Sequence, residues 1–271
     1  MDNINKIKIR QLQKIINTSK KIVFLGGAGV STESGIPDFR SSKKEVTPDY
    51  LPPEIALSLG FFEHHPKKFF DYYFENLVHS DAKPNQAHKK LKELEDAGKL
   101  THIITQNVDG LHEKAGSKNV INIHGTIYSN HCRCCKKRYS LNEVKNMESI
   151  PICTDCGAII KPDVVLYGEG LNMAKLFQAE TALRQADTLI VAGTSLVVQP
   201  AASLLFSFKG KNLVLINKSD TPLDYMATLK INAPVGEVLG KIKVRKQPLI
   251  TKDISRLISY NKRDTISKEG R

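Results

Sequence analysis

The stretch IVFLGGAGVST, residues 22–32, decides the fold. Ile22, Val23, Phe24 and Leu25 read as a strand buried on both faces, and Gly26-Gly27-Ala28-Gly29 closes it. A buried strand that runs straight into glycines predicts a tight strand-to-helix turn. Such a turn lets backbone approach a pyrophosphate, which then meets N–H groups at a helix N-terminus. The same turn with no ligand is the competing reading. Thr32 stands where the usual dinucleotide fingerprint has its third glycine, and no acidic residue closes a strand about 20 positions on.

Working outward, the chain alternates strand-like and helix-like units. An amphipathic stretch with Ile9, Leu12, Ile15 and Ile16 precedes the first strand. Asn85 reads as the N-cap of a helix carrying His88, Leu91 and Leu94, with Gly98 as its stop. Strands are expected at 102–105, 120–123, 188–192 and 212–217, and helices at 173–186 and 200–208. This alternation predicts an α/β fold: a doubly wound, parallel, Rossmann-like sheet with a small zinc-binding domain and a helical insertion. The expected division is a Rossmann-like domain of 1–41, 84–127 and 162–244, an aromatic-rich helical insertion at 42–83, a cysteine-bearing module at 128–161 and a basic tail at 245–271.

Composition narrows the function classes. The 271 residues are 41% apolar and 25% charged, an ordinary globular balance with enough apolar material for a sizeable core. No run approaches the roughly 18 apolar residues of a membrane span, and residues 1–21 lack the apolar core of a secretory signal. Five cysteines are too few for a disulfide framework and four fall in two close pairs, so metal in a reducing, cytoplasmic setting is expected. The net charge of +12 is uneven: residues 241–271 hold ten Lys or Arg against three Asp or Glu. That tail has a single aromatic, Tyr260, and reads as a solvated terminus rather than a nucleic-acid arm.

The chemistry-bearing residues gather at predicted strand ends. Ser34-Gly35-Ile36-Pro37-Asp38-Phe39-Arg40 places a ring and a guanidinium beside the glycine turn. Gln106, Asn107 and Asp109 crowd polar side chains where a strand ends, at the ligand-binding edge of an open parallel sheet, although turn and capping chemistry explains them too. His124 ends the next strand; beside such an edge its imidazole is a general-base candidate. Gly193-Thr194-Ser195 and Asn217 complete the edge, Asn217 being the residue available to read a ribose. Cys132 and Cys135, then seventeen residues, then Cys153 and Cys156 give two C-x2-C knuckles, a tetrahedral thiolate set for a closed structural Zn²⁺ site. Cys134 is the spare.

Taken in order, GAGVSTESGIPDFR (27–40), TQNVDGLH (105–112), IHGT (123–126), the cysteine pairs, KPDVVLYGE (161–169), GTSLVVQPAA (193–202) and LINKS (215–219) resemble the sirtuin family of NAD-dependent protein deacylases, closest to bacterial members with a minimal core. The resemblance implies an NAD site lined by Ala28, Thr32, Phe39 and Arg40. Gln106, Val108 and Asp109 would hold the nicotinamide and its ribose with catalytic Asn107 nearby, and Gly193, Thr194, Ser195, Asn217 and Val235 would hold the adenosine half. It implies that His124 is the general base and that residues 165–169, with Val165, Gly168 and Glu169, receive an acetylated-lysine protein or peptide as an added strand.

The implied reaction passes the acetyl group to ADP-ribose and releases nicotinamide and O-acetyl-ADP-ribose, with no metal taking part. The alternative carried with it is protein mono-ADP-ribosyl transfer at the same NAD site. The desuccinylating branch carries Tyr-x-x-Arg on the insertion, whereas the nearest match here is Tyr73-Phe74-Glu75-Asn76, so acetyl is expected over succinyl. Gly170 stands where the family often has Asn. A monomer is expected, with neither nucleic acid nor membrane as partner.

Overall fold

A computed structural model describes residues 3–38 and 51–244. Phe39, Arg40 and the basic tail at 245–271 lie outside the described residues. Among the described residues nine strands are formed: β1 Ile22–Gly26, β2 Leu100–Thr105, β3 Val120–Asn122, β4 Gly125–Cys132, β5 Arg138–Ser140, β6 Ile160–Val164, β7 Thr188–Ala192, β8 Asn212–Asn217 and β9 Leu229–Asn232. Six of them make one parallel sheet in the order β3-β2-β1-β7-β8-β9. The chain winds outward from β1 in one direction and from β7 in the other. The crevice outside the ends of these two central strands is therefore the switch point at which such sheets take ligands.

β1 is buried along its whole length because both of its faces are covered. Ile22 and Phe24 enter a core with α1 (Asn3–Thr18), α5 (Gln86–Asp96) and α9 (Val235–Gly240), whereas Val23 and Leu25 enter the opposite core with α8 (Met173–Gln185). In α5, Ala87, Leu91 and Leu94 recur at i, i+4 and i+7 and form one buried stripe. Asn85 caps it by accepting from the Ala87 N–H at 2.8 Å, and Gly98 takes the left-handed conformation (φ 68°) just past its end.

Two expected helices take another form. Beyond β1 the chain makes two 3-10 turns, Ala28–Val30 and Thr32–Ser34, that end at Gly35 with φ 85°. There is no long helix there to offer a macrodipole to a phosphate. The expected helix at 200–208 is a 3-10 helix over Ala201–Ser207. Its buried residues pair at three-residue spacing, Ala201 with Leu204 and Ala202 with Leu205, and 3-10 geometry stacks such positions into one stripe.

The insertion supplies α2 (Pro53–Ala56), α3 (Leu59–His64) and α4 (Pro66–Asn76), and two short helices, α6 (Leu111–Lys114) and α7 (Leu141–Lys145), complete the set among the described residues. Phe62, Phe69, Phe70 and Tyr73 pack edge to face or stacked. They share their core with Ile127, Leu141, Val164 and Leu166. The antiparallel sheet β5-β4-β6 runs through both expected bounds of the cysteine module, and Cys132, Tyr139, Val144, Cys153 and Ile160 make a small core there. In this module the cysteine cluster supplements packing rather than replacing it.

Candidate active site

At the switch point the β1 and β7 loops touch backbone to backbone. A Cβ on Gly29 would lie 2.7 Å from the Gly193 Cα, and one on Gly27 would lie 2.8 Å from the Thr194 Cβ. These glycines are therefore required by packing between two loops of the protein itself, whatever ligand the turn also admits. Gly193 (φ 59°) turns back on the Gly29–Val30 backbone from the other side. Half-buried Ala28 sits in the first 3-10 turn, and the Thr32 hydroxyl donates to the Gly29 carbonyl at 3.1 Å.

The segment after β2 completes the floor. The Gln106 side chain donates to the Thr194 hydroxyl at 3.1 Å, and its N–H donates to the Gly26 carbonyl at 2.9 Å. The Asp109 carboxylate is buried; it accepts from the Ser31 hydroxyl at 2.6 Å and from the Leu111 N–H at 2.9 Å, which caps α6. The Asn107 amide donates to the same Ser31 hydroxyl at 3.0 Å. Ser31 is thus the hub that joins the glycine turn to Asn107 and Asp109. Sequence reading passed over it as one more residue of the turn. Val108 packs half-buried against the insertion core, and its carbonyl accepts from the Ile127 N–H at 3.1 Å.

His124 sits between β3 and β4, followed by Gly125, whose left-handed backbone (φ 84°) runs so close to the Asp163 carbonyl that any Cβ there would collide with it. His124 Nδ1 lies 3.0 Å from the Gln106 carbonyl oxygen. A carbonyl only accepts, so Nδ1 carries the hydrogen and Nε2 keeps the lone pair. Burial lowers the His124 pKa below its ordinary 6.5, and the bond to Gln106 opposes that shift. The ring is neutral at pH 7 with one basic nitrogen.

Other expected site residues carry structural work. Asn217 accepts from the Thr194 N–H at 3.1 Å and donates to the Thr194 carbonyl at 2.9 Å, so it braces the β7 loop and keeps one donor and one lone pair for a ligand. Half-buried Ser195 follows on that loop. The Val235 side chain is buried in the first core, which leaves only backbone there to meet an adenine. Val165 donates to the His124 carbonyl at 2.9 Å. Gly168 takes φ 91°, and the Glu169 carboxylate turns inward onto Lys161 at 2.9 Å. Tyr73 is enclosed in the aromatic core and offers nothing to an acyl group, while the Asn76 amide donates to the Tyr72 carbonyl.

The Cys132, Cys135, Cys153 and Cys156 sulfurs all lie within 4.8 Å of one another, with Cys132 to Cys156 at 3.4 Å and Cys135 to Cys153 at 3.5 Å. Tetrahedral Zn–S bonds of about 2.3 Å place sulfurs roughly 3.8 Å apart, so the donor set and its size fit a structural Zn²⁺. Cys134 is exposed and outside the cluster. Among the described residues no helix is long and apolar enough to cross a membrane.

Comparison with known proteins shows what this chain is similar to. Residues 27–200 match the Sir2 family. An NAD-dependent protein deacetylase of Clostridium acetobutylicum is 52% identical over 87% of this chain and 98% of its own length. One of Staphylococcus epidermidis is 45% identical over 88% of this chain and 98% of its own length. A Sir2 structure with p53 peptide and NAD⁺ superposes with TM-score 0.77 at 38% identity, covering 85% of this chain and 95% of that one. Another, with deacetylated p53 peptide and 3′-O-acetyl ADP-ribose, reaches TM-score 0.79 with the same identity and coverage. With more than half of its length matched and relatives above 50% identity spanned almost end to end, this chain belongs to the Sir2 family.

Proposed function

We infer that the switch-point crevice carries out NAD-dependent deacetylation of protein lysines, with His124 as its general base. The observation that carries this reading is the Nδ1–H bond from His124 to Gln106, which leaves Nε2 as the basic atom and ties the ring to the segment that carries Asn107 and Asp109. NAD is the co-substrate: it supplies the sugar carbon from which nicotinamide departs and the ADP-ribose that takes the acetyl group. The crevice suits it, with glycine backbone for the phosphates and amide and carboxylate groups for a carboxamide.

Each side chain then has a task. His124 Nε2 accepts a proton from a ribose hydroxyl as that oxygen becomes a nucleophile. Asp109 and Asn107, fixed through Ser31, orient the carboxamide, and each Asp109 oxygen retains a lone pair for it. Thr194, Ser195 and Asn217 hold the adenosine half, joined by Gly193 and the Val235 backbone, and Ala28 and Thr32 line the phosphates. The edge at 165–169 receives the acetylated peptide. Holding both substrates in line supplies much of the rate. Cys132, Cys135, Cys153 and Cys156 would hold a Zn²⁺ that closes the small lobe, with all four positions taken by thiolates.

The protein acts as a cytoplasmic monomer, on the strength of its paired cysteines and of a site built within one chain. It prefers acetyl to succinyl, because exposed Glu75 would repel a second carboxylate. Incubation with an acetyl-lysine peptide, with and without NAD, tests the reading: a loss of acetyl mass only with NAD supports it, and an unchanged mass where another deacetylase works removes it. A matched succinyl peptide should turn over more slowly.

A further inference from the structure

Among the described residues Lys161 is the only buried lysine, and the activity gives it no role. Its ammonium donates to the Val164 carbonyl at 3.0 Å and the Pro162 carbonyl at 3.2 Å, and pairs with Glu169 at 2.9 Å. That uses all three of its donors. The Glu169 oxygen it meets also accepts from the Leu166 N–H at 2.8 Å. One ion pair therefore ties the start of the turn 161–169 to its end and fixes three backbone groups between them.

The rest of this turn is anchored from outside. The Val165 N–H is held by the His124 carbonyl, and Tyr167 bridges the Leu57 carbonyl and the Leu59 N–H of the insertion. A peptide added along this edge reads backbone directions. The groups that hold those backbone directions are the side chains of buried Lys161, at the 162 and 164 carbonyls, and half-buried Glu169, at the Leu166 N–H. Buried pairs add little net stability, and apolar replacements of both partners are often neutral. What this pair supplies is the orientation of the carbonyls at 162 and 164.

We propose that Lys161 and Glu169 are a positioning pair that shapes the 164–168 edge for the acetyl-lysine peptide without touching it. The proposal rests on the deacetylase reading, and it moves Glu169 from direct substrate contact to support of the turn. The test is steady-state kinetics of Lys161→Met/Glu169→Gln, in which Gln still accepts from Leu166 and no buried charge is left alone. The expected result is a cooperative thermal transition close to wild type and a peptide KM raised about tenfold, the scale of one lost net hydrogen bond. The NAD KM should stay unchanged, and Lys161→Arg should recover most of the peptide affinity.

Should the double variant fail to fold, Glu169→Gln alone is read by the same split. A wild-type peptide KM in the folded variant, or an NAD KM that rises in step, overturns the proposal. A wild-type chain that leaves the peptide acetylated in the presence of NAD overturns the deacetylase reading instead, and the proposal with it.

Discussion

At His124 a single hydrogen bond decides which nitrogen does chemistry. Because burial lowers its pKa below 6.5, the base is lost only when pH falls through that depressed value. The acid limb of kcat/KM is therefore expected below pH 6.5, and a limb above it would contradict the account. His124→Ala should leave the thermal transition in place and reduce turnover by about 10²- to 10⁴-fold, the usual contribution of a general base. Ser31→Ala should lower kcat by loosening the carboxamide's orientation instead, because it releases Asp109 and Asn107 together. A Ser31→Ala enzyme with wild-type kcat would detach that network from catalysis.

A second histidine governs stability. Burial lowers the His88 pKa to about 4, and its ring centroid lies 4.7 Å from that of His112, which is also held uncharged by burial. As pH falls from 6.5 towards 4, the unfolded chain binds protons that the folded chain refuses. Stability drops over that window, by about 3 kcal/mol from His88 alone. Urea midpoints at pH 7 and pH 5 measure it, and a flat profile would contradict the assignment. The cluster of four cysteines was legible because its spacing sets it apart. The role of Ser31 was not: its two partners lie 76 and 78 residues away, and nothing local in a hydroxyl beside glycines announces such contacts.

At the scale of elements, five strands of the main sheet follow from their apolar runs, and β7 and β8 begin and end where the sequence places them, whereas the short edge strand β9 was not expected. A run buried on both faces has little alternative to a central strand. The segments at 28–34 and 201–207 differ in form because helix type is decided by what each packs against. Gly29 illustrates this: Gly29→Ala would press a methyl into the Gly193 backbone, so it should lower both stability and NAD affinity, as calorimetry would show. In the small lobe, Cys153→Ser should melt β4, β5 and β6 early, whereas Cys134→Ser should leave the lobe unchanged. Equal effects of the two variants would deny the metal reading.

Over the whole molecule, the pattern that sequence could not supply is the sharing of cores between lobes. Insertion and cysteine module read as two separate additions, yet Phe62, Phe69, Phe70 and Tyr73 share one core with Ile127 and Val164. Val108 packs against that core and its carbonyl accepts from the Ile127 N–H, so the floor of the crevice leans on the small lobe. Such contacts join residues far apart in the chain, and no local periodicity encodes them. The strand alternation, by contrast, is local and already announced a sheet with a switch point.

Product stoichiometry tests the central claim most directly. With an acetyl-lysine peptide and NAD, the account predicts one O-acetyl-ADP-ribose and one nicotinamide for every acetyl group lost, and formation of the acetylated product slowed about 10²- to 10⁴-fold in His124→Ala. Free acetate without NAD consumption, or full stoichiometric turnover by the His124→Ala protein, would contradict it.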